Sequence, residues 1–322
     1  MIVVGQGNFS YDVEEHWSNG PRPSLKSWGE LPKGYSYIQV PGIGVDSKDR
    51  IYVYNRYPPR VYVLNNNGKF LNMWGEDIFG DSWLHSPHGL YVGSDDMVYC
   101  TDNLDHTVRK FTLDGELIFT LGTEEKPGKE GAPFNRPTAT ALSKSGDLFI
   151  SDGYGNSRVH KFSPDGEHQL SWGKPGTGPG EFNLPHGIWV DKDDRVWVAD
   201  RQNHRIQIFT TEGEYISQLT DFSYPSDFFM RDDIVYVAEV GGRMSILNLK
   251  GELLSRWGGE KSFVQDYISK IKGDYIPNFD LYTECLHAPG KFVDAHCCCV
   301  DSKGSIYVGE IKGGVTKFIR RK

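Results

Sequence analysis

The sequence lacks any apolar run long enough to span a bilayer. Its first residues, MIVVGQGNFSYDVEEHW, contain neither a basic stretch nor an extended apolar core, so we expect no secretory signal. Cysteine is scarce, with five in 322 residues, and no C-x-x-C pair is present. This odd, unpaired number is typical of a reduced, cytoplasmic setting.

Positive charge is also in deficit. The 35 Lys and Arg residues are outnumbered by 43 Asp and Glu residues, which gives a formal net charge of -8. Nucleic acids and anionic membranes attract clustered Lys and Arg, so the composition argues against both as partners. The 38% hydrophobic content is sufficient for a large core, and 37 glycines indicate many tight turns.

What the chain does contain is an internal repeat. The stretch GIGVDSKDRIYVYNR recurs as GLYVGSDDMVYCTDN, ATALSKSGDLFISDG, GIWVDKDDRVWVADR, FFMRDDIVYVAEV and CCVDSKGSIYVGEI. Each copy predicts two short strands around a polar turn. After each of the first five copies come two further strands around an N-G, D-G, E-G or K-G turn. Four antiparallel strands in roughly 45 residues form one propeller blade.

We therefore predict an all-β, six-bladed β-propeller that occupies residues 1–322 as a single domain. The sixth blade, from His296, shows only three strands before the chain ends. We expect the N-terminal MIVVGQG to supply the missing outer strand, because a closed ring leaves no open sheet edge.

One column of the repeat carries histidine in every second blade. His88 stands in SPHGLYV, His186 in LPHGIWV and His296 in DAHCCCV. Each lies fourteen residues before an acidic strand end, these ends being Asp102, Asp200 and Glu310. The other three blades have Pro41, Thr138 and Ser226 near the same place.

These three histidines predict a metal site. The innermost strands surround the central axis, and alternate blades of six lie about 120° apart, so the imidazoles should converge there. Three histidines with an open fourth position suit a catalytic zinc ion best. The alternative is that histidine merely suits the start of the strand, but it would then occur in any blade.

Residues just after each second strand share a rim with the histidines, since that strand returns to the face where the first began. Most acidic residues on this rim are expected to form turns by binding nearby backbone amides. Arg56, Tyr154 and Arg201 stand on the same rim. Two guanidiniums match a substrate carboxylate, and a phenol can act as a general base. The alternative for each is a surface or inter-blade contact.

The stretch DAHCCCVDSKG looks like four consecutive metal ligands. That arrangement is geometrically poor, because neighbouring side chains of a strand point to opposite faces. The repeat register equates CCVD with GIWVD of blade four, so Cys298 and Cys299 are predicted to be buried strand residues. His296 is the predicted ligand of this stretch.

The units resemble NHL repeats, which begin with the F-N-x-P pattern seen in GTGPGEFNLPHGIWVD and GAPFNRPTATALS. More specifically, the chain resembles the peptidyl-α-hydroxyglycine α-amidating lyases, the lyase half of peptidylglycine α-amidating monooxygenase. The similarity lies in PHGL, SDGYGNSR, LPH and VADRQNHRIQIF, with shorter matches in YNR and AHC, and spans roughly residues 38–319.

This resemblance implies a six-bladed propeller with a catalytic zinc held by His88, His186 and His296. It implies that Tyr154 is the base and that Arg56 and Arg201 orient the substrate carboxylate. The reaction would split an α-hydroxyglycine into a peptide amide and glyoxylate.

Two departures from the family stand out. A structural calcium in the family uses an Asp after the third histidine, where this chain has Cys297. A neutral thiol is a poor ligand for calcium, which prefers oxygen, so Cys297 argues against carrying the structural calcium over from the family and leaves its presence open. The chain also has no copper monooxygenase segment, so the substrate is expected to be a free intermediate or a related α-hydroxy amide.

Two other functions remain open at this point. A three-histidine zinc can also activate water, which would make the chain a metal-dependent hydrolase or lactonase. An NHL propeller can instead serve as a binding platform without catalysis. The segment 260–294 interrupts the repeat before blade six on the histidine face, with roughly helical spacing over 263–271. We expect a partial lid there, a long surface loop being the alternative.

Overall fold

The computed structural model describes residues 2–14, 28–76, 86–128, 133–259, 290–312 and 314–322. The first three blades are formed by β3 (Gly42–Val45), β4 (Ile51–Tyr54), β5 (Val61–Leu64) and β6 (Phe70–Trp74), then β7 (Pro87–Val92), β8 (Met97–Asp102), β9 (Thr107–Thr112) and β10 (Leu117–Gly122), then β11 (Ala139–Leu142), β12 (Leu148–Asp152), β13 (Arg158–Phe162) and β14 (His168–Trp172).

The next two blades are formed by β15 (Pro185–Val190), β16 (Val196–Asp200), β17 (Arg205–Phe209) and β18 (Tyr215–Leu219), then β19 (Pro225–Arg231), β20 (Ile234–Glu239), β21 (Arg243–Asn248) and β22 (Leu253–Gly258). Blade six contains β23 (Ala295–Val300), β24 (Ile306–Glu310) and β25 (Val315–Arg320), joined by β1 (Val3–Gln6) and β2 (Phe9–Glu14). Within the described ranges the one helical element is a short 3-10 turn, Arg201–Asn203.

The six sheets form a closed ring, which confirms the predicted six-bladed propeller. All strand pairs within the sheets are antiparallel, and the first strand of each blade is innermost. Each inner strand contacts those of both neighbouring blades, and β23 of the last blade contacts β3 of the first. The starts of the inner strands therefore meet around one central axis.

The outer turns show how one blade packs on the next. Gly115, in the D-G turn of blade two, has φ +93°, and a Cβ atom there would lie 2.6 Å from the ring of Trp74 in blade one. Glycine is therefore required at this turn for its backbone conformation and for the close approach. The same tryptophan packs on Phe111 of blade two, with 5.1 Å between ring centroids. Such contacts seal the apolar faces between blades.

The ring closes through the N-terminus, but through a later strand than predicted. β2 pairs with β25, with Tyr11 opposite Arg320, and so takes the place of the fourth strand of blade six. The predicted segment MIVVGQG instead forms β1, a fifth strand outside β2. Burial explains the choice, since Tyr11 is fully buried whereas Val3 in β1 is 45% exposed.

The segment predicted to form a lid lies mostly outside the described residues. Residues 260–289, including the stretch 263–271 with helical spacing, are not described, so the lid stays a prediction. The part of the chain that the structure describes contains no helix long and apolar enough to cross a membrane.

Tyr11→Ala should destabilise the fold strongly. The ring of Tyr11 packs 5.5 Å from that of Trp257 in blade five, so it links the closing strand to the neighbouring blade. We expect the free energy of unfolding to fall by about 3–5 kcal/mol, as for other large aromatic truncations in cores. Urea denaturation measures this change. Val3→Ala, on the exposed fifth strand, should cost under about 0.5 kcal/mol, and equal effects would contradict the assignment of β2 as the closing strand.

Candidate metal centre

The three histidines meet on the axis of the propeller. His88, His186 and His296 lie near the starts of inner strands β7, β15 and β23, and none is more than 4% exposed. Their ligand nitrogens all lie within 4.8 Å of one another. Their ring centroids are 4.7 to 5.1 Å apart, with the rings edge to face. The three histidines that share one position of the repeat therefore form a compact cluster of imidazoles.

A one-residue β-bulge at each histidine explains how the side chains reach the axis. In β7 the pairing register with β8 shifts between Pro87 and Leu90. The same shift occurs in β15 around His186 and in β23 around His296. A bulge adds an unpaired residue and re-aims the neighbouring side chain, and such bulges are common beside active sites. The sequence repeat alone did not reveal these bulges.

Each histidine is oriented by a backbone carbonyl of the next blade. The Nδ1 atoms of His88, His186 and His296 lie 2.8, 2.7 and 2.8 Å from the carbonyl oxygens of three residues, which are Thr138, Ser226 and Pro41 respectively. A carbonyl only accepts hydrogen bonds, so each Nδ1 carries the proton and donates it. Each Nε2 therefore keeps its lone pair, as a metal ligand requires.

The surroundings keep these imidazoles neutral. Burial, followed by the charges of Arg201 and Arg56, lowers the pKa of His296 to about 3. Burial also holds the pKa values of His88 and His186 well below the usual range. Neutral imidazoles with lone pairs directed at one place fit a divalent metal ion, and three such ligands suit zinc with an open fourth position.

Tyr154 lies against this cluster, as the sequence predicted. Its Oη atom is 3.2 Å from Nε2 of His88 and 3.4 Å from Nε2 of His186. The residue follows strand β12 in blade three, between the blades that carry these two histidines. The phenol oxygen therefore lies beside the position that an ion would occupy.

Arg201 and Arg56 also lie at the cluster, but with different neighbours. Arg201 donates from Nη1 to Oη of Tyr154 at 3.5 Å, and its Nε atom is buried with no hydrogen-bond partner among the described residues. Arg56 is held more firmly, since its Nε and Nη1 atoms donate to the carbonyl oxygen of Pro87 at 3.3 Å and to Oε1 of Gln39 at 3.0 Å. Arg201 is thus the freer of the two guanidiniums.

A third guanidinium, which the sequence analysis did not single out, belongs to Arg136. Its Cζ atom lies 5.1 Å from the centroid of the Tyr154 ring, compared with 5.5 Å for Cζ of Arg201. Two cations therefore contact one tyrosine ring. The signal that could have found Arg136 is its place as the variable residue of the F-N-x-P pattern.

The acidic residues on the rim behave as the predicted turn formers. Asp102 accepts hydrogen bonds from the amides of Ser86, Leu104 and Asp105 at 2.9 to 3.1 Å. Asp200 likewise accepts the amide of Asn183 at 2.7 Å. The other oxygen of Asp200 accepts from the side chains of Asn203, Arg205 and Gln207. Neither carboxylate belongs to the histidine cluster, which is the one group of potential metal ligands found in the described part of the chain.

Comparison with known proteins supports the assignment of the chain as a propeller built from NHL repeats. Residues 134–162 and 182–209 match the family model of the NHL repeat. Human (Homo sapiens) NHL repeat-containing protein 3 is 37% identical over 172 residues, which is 49% of this chain and 47% of that protein. Peptidyl-alpha-hydroxyglycine alpha-amidating lyase 1 of Drosophila melanogaster is 34% identical over 271 residues, or 79% of this chain and 47% of that protein. The chain is an NHL-repeat propeller similar to the amidating lyases.

This propeller spans about half the length of both relatives. A solved streptogramin B lyase structure superimposes with a TM-score of 0.61 at 14% identity, covering 97% of this chain and 98% of that one. At so low an identity the likeness concerns the fold alone.

The cysteines beside His296 are buried, as predicted for Cys298 and Cys299. Cys297 is also buried, and its thiol donates to the carbonyl oxygen of Val40 at 3.6 Å. Burial holds the pKa values of all three thiols well above the usual range, so they stay neutral. A neutral thiol that already binds a carbonyl is unsuited to calcium. The argument from Cys297 against a structural calcium thus stays a prediction.

Proposed function

We propose that this propeller is a zinc-dependent lyase that cleaves the C–N bond of an α-hydroxy amide. Its substrate would resemble a peptidyl-α-hydroxyglycine, and its products would be an amide and an aldehyde such as glyoxylate. The observation that carries the proposal is a phenol oxygen 3.2 and 3.4 Å from the Nε2 atoms of two neutral, carbonyl-oriented histidines. The similarity to a relative named as an amidating lyase supports the reaction class.

His88, His186 and His296 would hold the zinc ion through Nε2. Bound zinc would supply Lewis-acid polarisation of the substrate hydroxyl. The carbonyls behind the histidines fix the direction of each lone pair before any ion binds.

The remaining chemistry is proton transfer, which we assign to Tyr154. As the general base, its Oη would accept the hydroxyl proton of the substrate, and the oxygen electron pair would form the new C=O bond as the C–N bond breaks. The proton then passes to the departing amide nitrogen, so the reaction needs no further reactant. A positioned base of this kind contributes about 10² to 10⁴ in rate.

Arg201 and Arg56 would hold the substrate carboxylate. A guanidinium binds a carboxylate through two parallel hydrogen bonds, which fixes the orientation of the adjacent carbon. In the described part of the chain, neither arginine forms an ion pair with a carboxylate. We therefore propose a small-molecule or peptide substrate that carries a carboxylate, with no nucleic acid or membrane as partner.

The direct test uses α-hydroxyhippurate, which should give glyoxylate and benzamide. We expect release of glyoxylate at least roughly a thousandfold faster than in protein-free buffer, because enzymes exceed uncatalysed rates by far more. Glyoxylate is measured by its hydrazone, and the protein-free reaction corrects for spontaneous decay. Hydrolysis of simple esters or lactones without any glyoxylate from several α-hydroxyglycine substrates would overturn the lyase in favour of a metal-dependent hydrolase.

A further inference from the structure

Arg136 occupies a repeat position that recurs in blades four and five. Arg136, Leu184 and Tyr224 each precede the proline that leads into an inner strand, and their φ angles are 69°, 70° and 57°. In each case the carbonyl accepts the amide of a rim residue, the donors being Tyr154, Arg201 and Val240. The three positions are structurally equivalent.

Because the three positions are equivalent, the backbone conformation at residue 136 can be considered apart from the function of the arginine side chain. A bulky residue with positive φ is uncommon, yet here the turn recurs in three blades. Leucine and tyrosine fill it as well as arginine does, so the fold does not require a positive charge at residue 136. The side chain is therefore available for another role.

The surroundings of the Arg136 side chain indicate what this other role is. Its Cζ atom lies 5.1 Å from the centroid of the Tyr154 ring, whereas Tyr224 of blade five packs edge to face on His204, with 4.0 Å between ring centroids. Nε of Arg136 is buried and finds no hydrogen-bond partner in the described ranges. A buried charged donor without a partner is costly, so this Nε is available to an acceptor such as a substrate carboxylate.

Positive charge also exceeds what one substrate carboxylate would balance. Arg136 and Arg201 lie over the ring of Tyr154, and Arg56 donates to the carbonyl oxygen of Pro87 beside His88. Over the described residues, none of the three arginines forms an ion pair. Arg201 lies 3.5 Å from Oη of Tyr154, the atom of the proposed base, whereas Arg136 contacts the ring of that residue. Of the three arginines, Arg136 is therefore left for a part of the substrate further from the reacting carbon.

We propose that Arg136 determines specificity by binding a second carboxylate of the substrate. The preferred substrate would be an α-hydroxyglycine compound with an acidic group in the adjoining residue, such as a peptide with Asp before its terminal hydroxyglycine. This inference rests on the proposed lyase function. Arg56 and Arg201 serve the terminal carboxylate, and Arg136 serves the additional one.

Binding of two unreactive peptides tests the proposal without turnover. N-acetyl-Asp-Gly and N-acetyl-Asn-Gly lack the hydroxyl group and differ only by a carboxylate in place of a carboxamide. Calorimetry with the zinc-loaded protein should show the Asp peptide binding about ten- to a hundredfold more tightly, as expected for a charged hydrogen-bond pair. Arg136→Leu, which installs the residue of blade four, should bring the ratio of the two affinities close to one.

Two further variants make the result specific. Arg136→Lys keeps the charge without the planar fork and should retain part of the preference. Arg231→Leu removes a positive charge at the opposite end of inner strand β19 and should retain all of it. Thermal unfolding shows whether each variant is folded.

Three outcomes would overturn the proposal: equal binding of both peptides by the unmodified protein, an undiminished preference in Arg136→Leu, or no binding of either peptide. A preference for the Asp peptide together with no glyoxylate from α-hydroxyhippurate would instead remove only the lyase assignment. The two hypotheses therefore fail separately.

Discussion

The double variant His88→Ala, His186→Ala is expected to lose both its metal and its activity. The unmodified protein should contain about one zinc per chain, since three neutral Nε2 atoms converge on one position. With two of the three ligands removed, the remaining His296 cannot hold the ion. We expect zinc to fall to background and glyoxylate formation to fall at least about a thousandfold, because polarisation of the hydroxyl is lost. Elemental analysis and the glyoxylate assay measure the two effects.

A matched control is His168→Ala, which removes an exposed histidine from outer strand β14. This variant should keep both zinc and activity. Circular dichroism should confirm that the double variant is folded, because each substitution also removes a hydrogen bond to a carbonyl of the next blade. If protein purified without chelator contains no tightly bound metal, both enzyme hypotheses fail and the binding platform is favoured.

Tyr154→Phe is expected to lower kcat by about 10² to 10⁴ while leaving zinc bound. The substitution removes only the oxygen that lies 3.2 and 3.4 Å from Nε2 of His88 and His186. The ring remains, so the stacking of Arg201 and Arg136 is preserved. Steady-state kinetics with α-hydroxyhippurate, together with zinc content, separate loss of the base from loss of the metal.

The control for this variant is Tyr215→Phe, on outer strand β18, where the side chain is 38% exposed. It should leave kcat unchanged. Turnover by Tyr154→Phe equal to that of the unmodified protein would exclude Tyr154 as the base. A parallel loss of zinc would instead show that the hydroxyl helps to retain the ion.

Much of the fold was predictable because its repeat is local. Each blade repeats the same pattern of strands and turns, and a four-stranded antiparallel unit follows from that pattern without long-range information. The prediction of the closing strand was wrong, because it named a segment too near the N-terminus. MIVVGQG and the following FSYDVE both suit a strand, and the choice between them depends on which apolar side chain fits against Trp257 of blade five.

For the candidate site, the sequence predicted which side chains take part and on which face of the propeller they lie. His88, His186, His296, Tyr154, Arg56 and Arg201 all lie where the register of the repeat placed them. Arg136 was missed although the F-N-x-P pattern contains it, because the same position of the pattern holds the unrelated residue Leu184 in blade four. Its approach to the Tyr154 ring is a contact between two loops of the folded blade.

The sequence by itself determined six blades and a column of histidine in every second one, since both follow from a short period along the chain. Only the tertiary structure decided which nitrogen of each histidine faces the axis. The carbonyl partners are 50, 40 and 255 residues away in the chain and belong to the adjoining blade. Their positions depend on how neighbouring blades pack, and a pattern within one repeat does not contain that information.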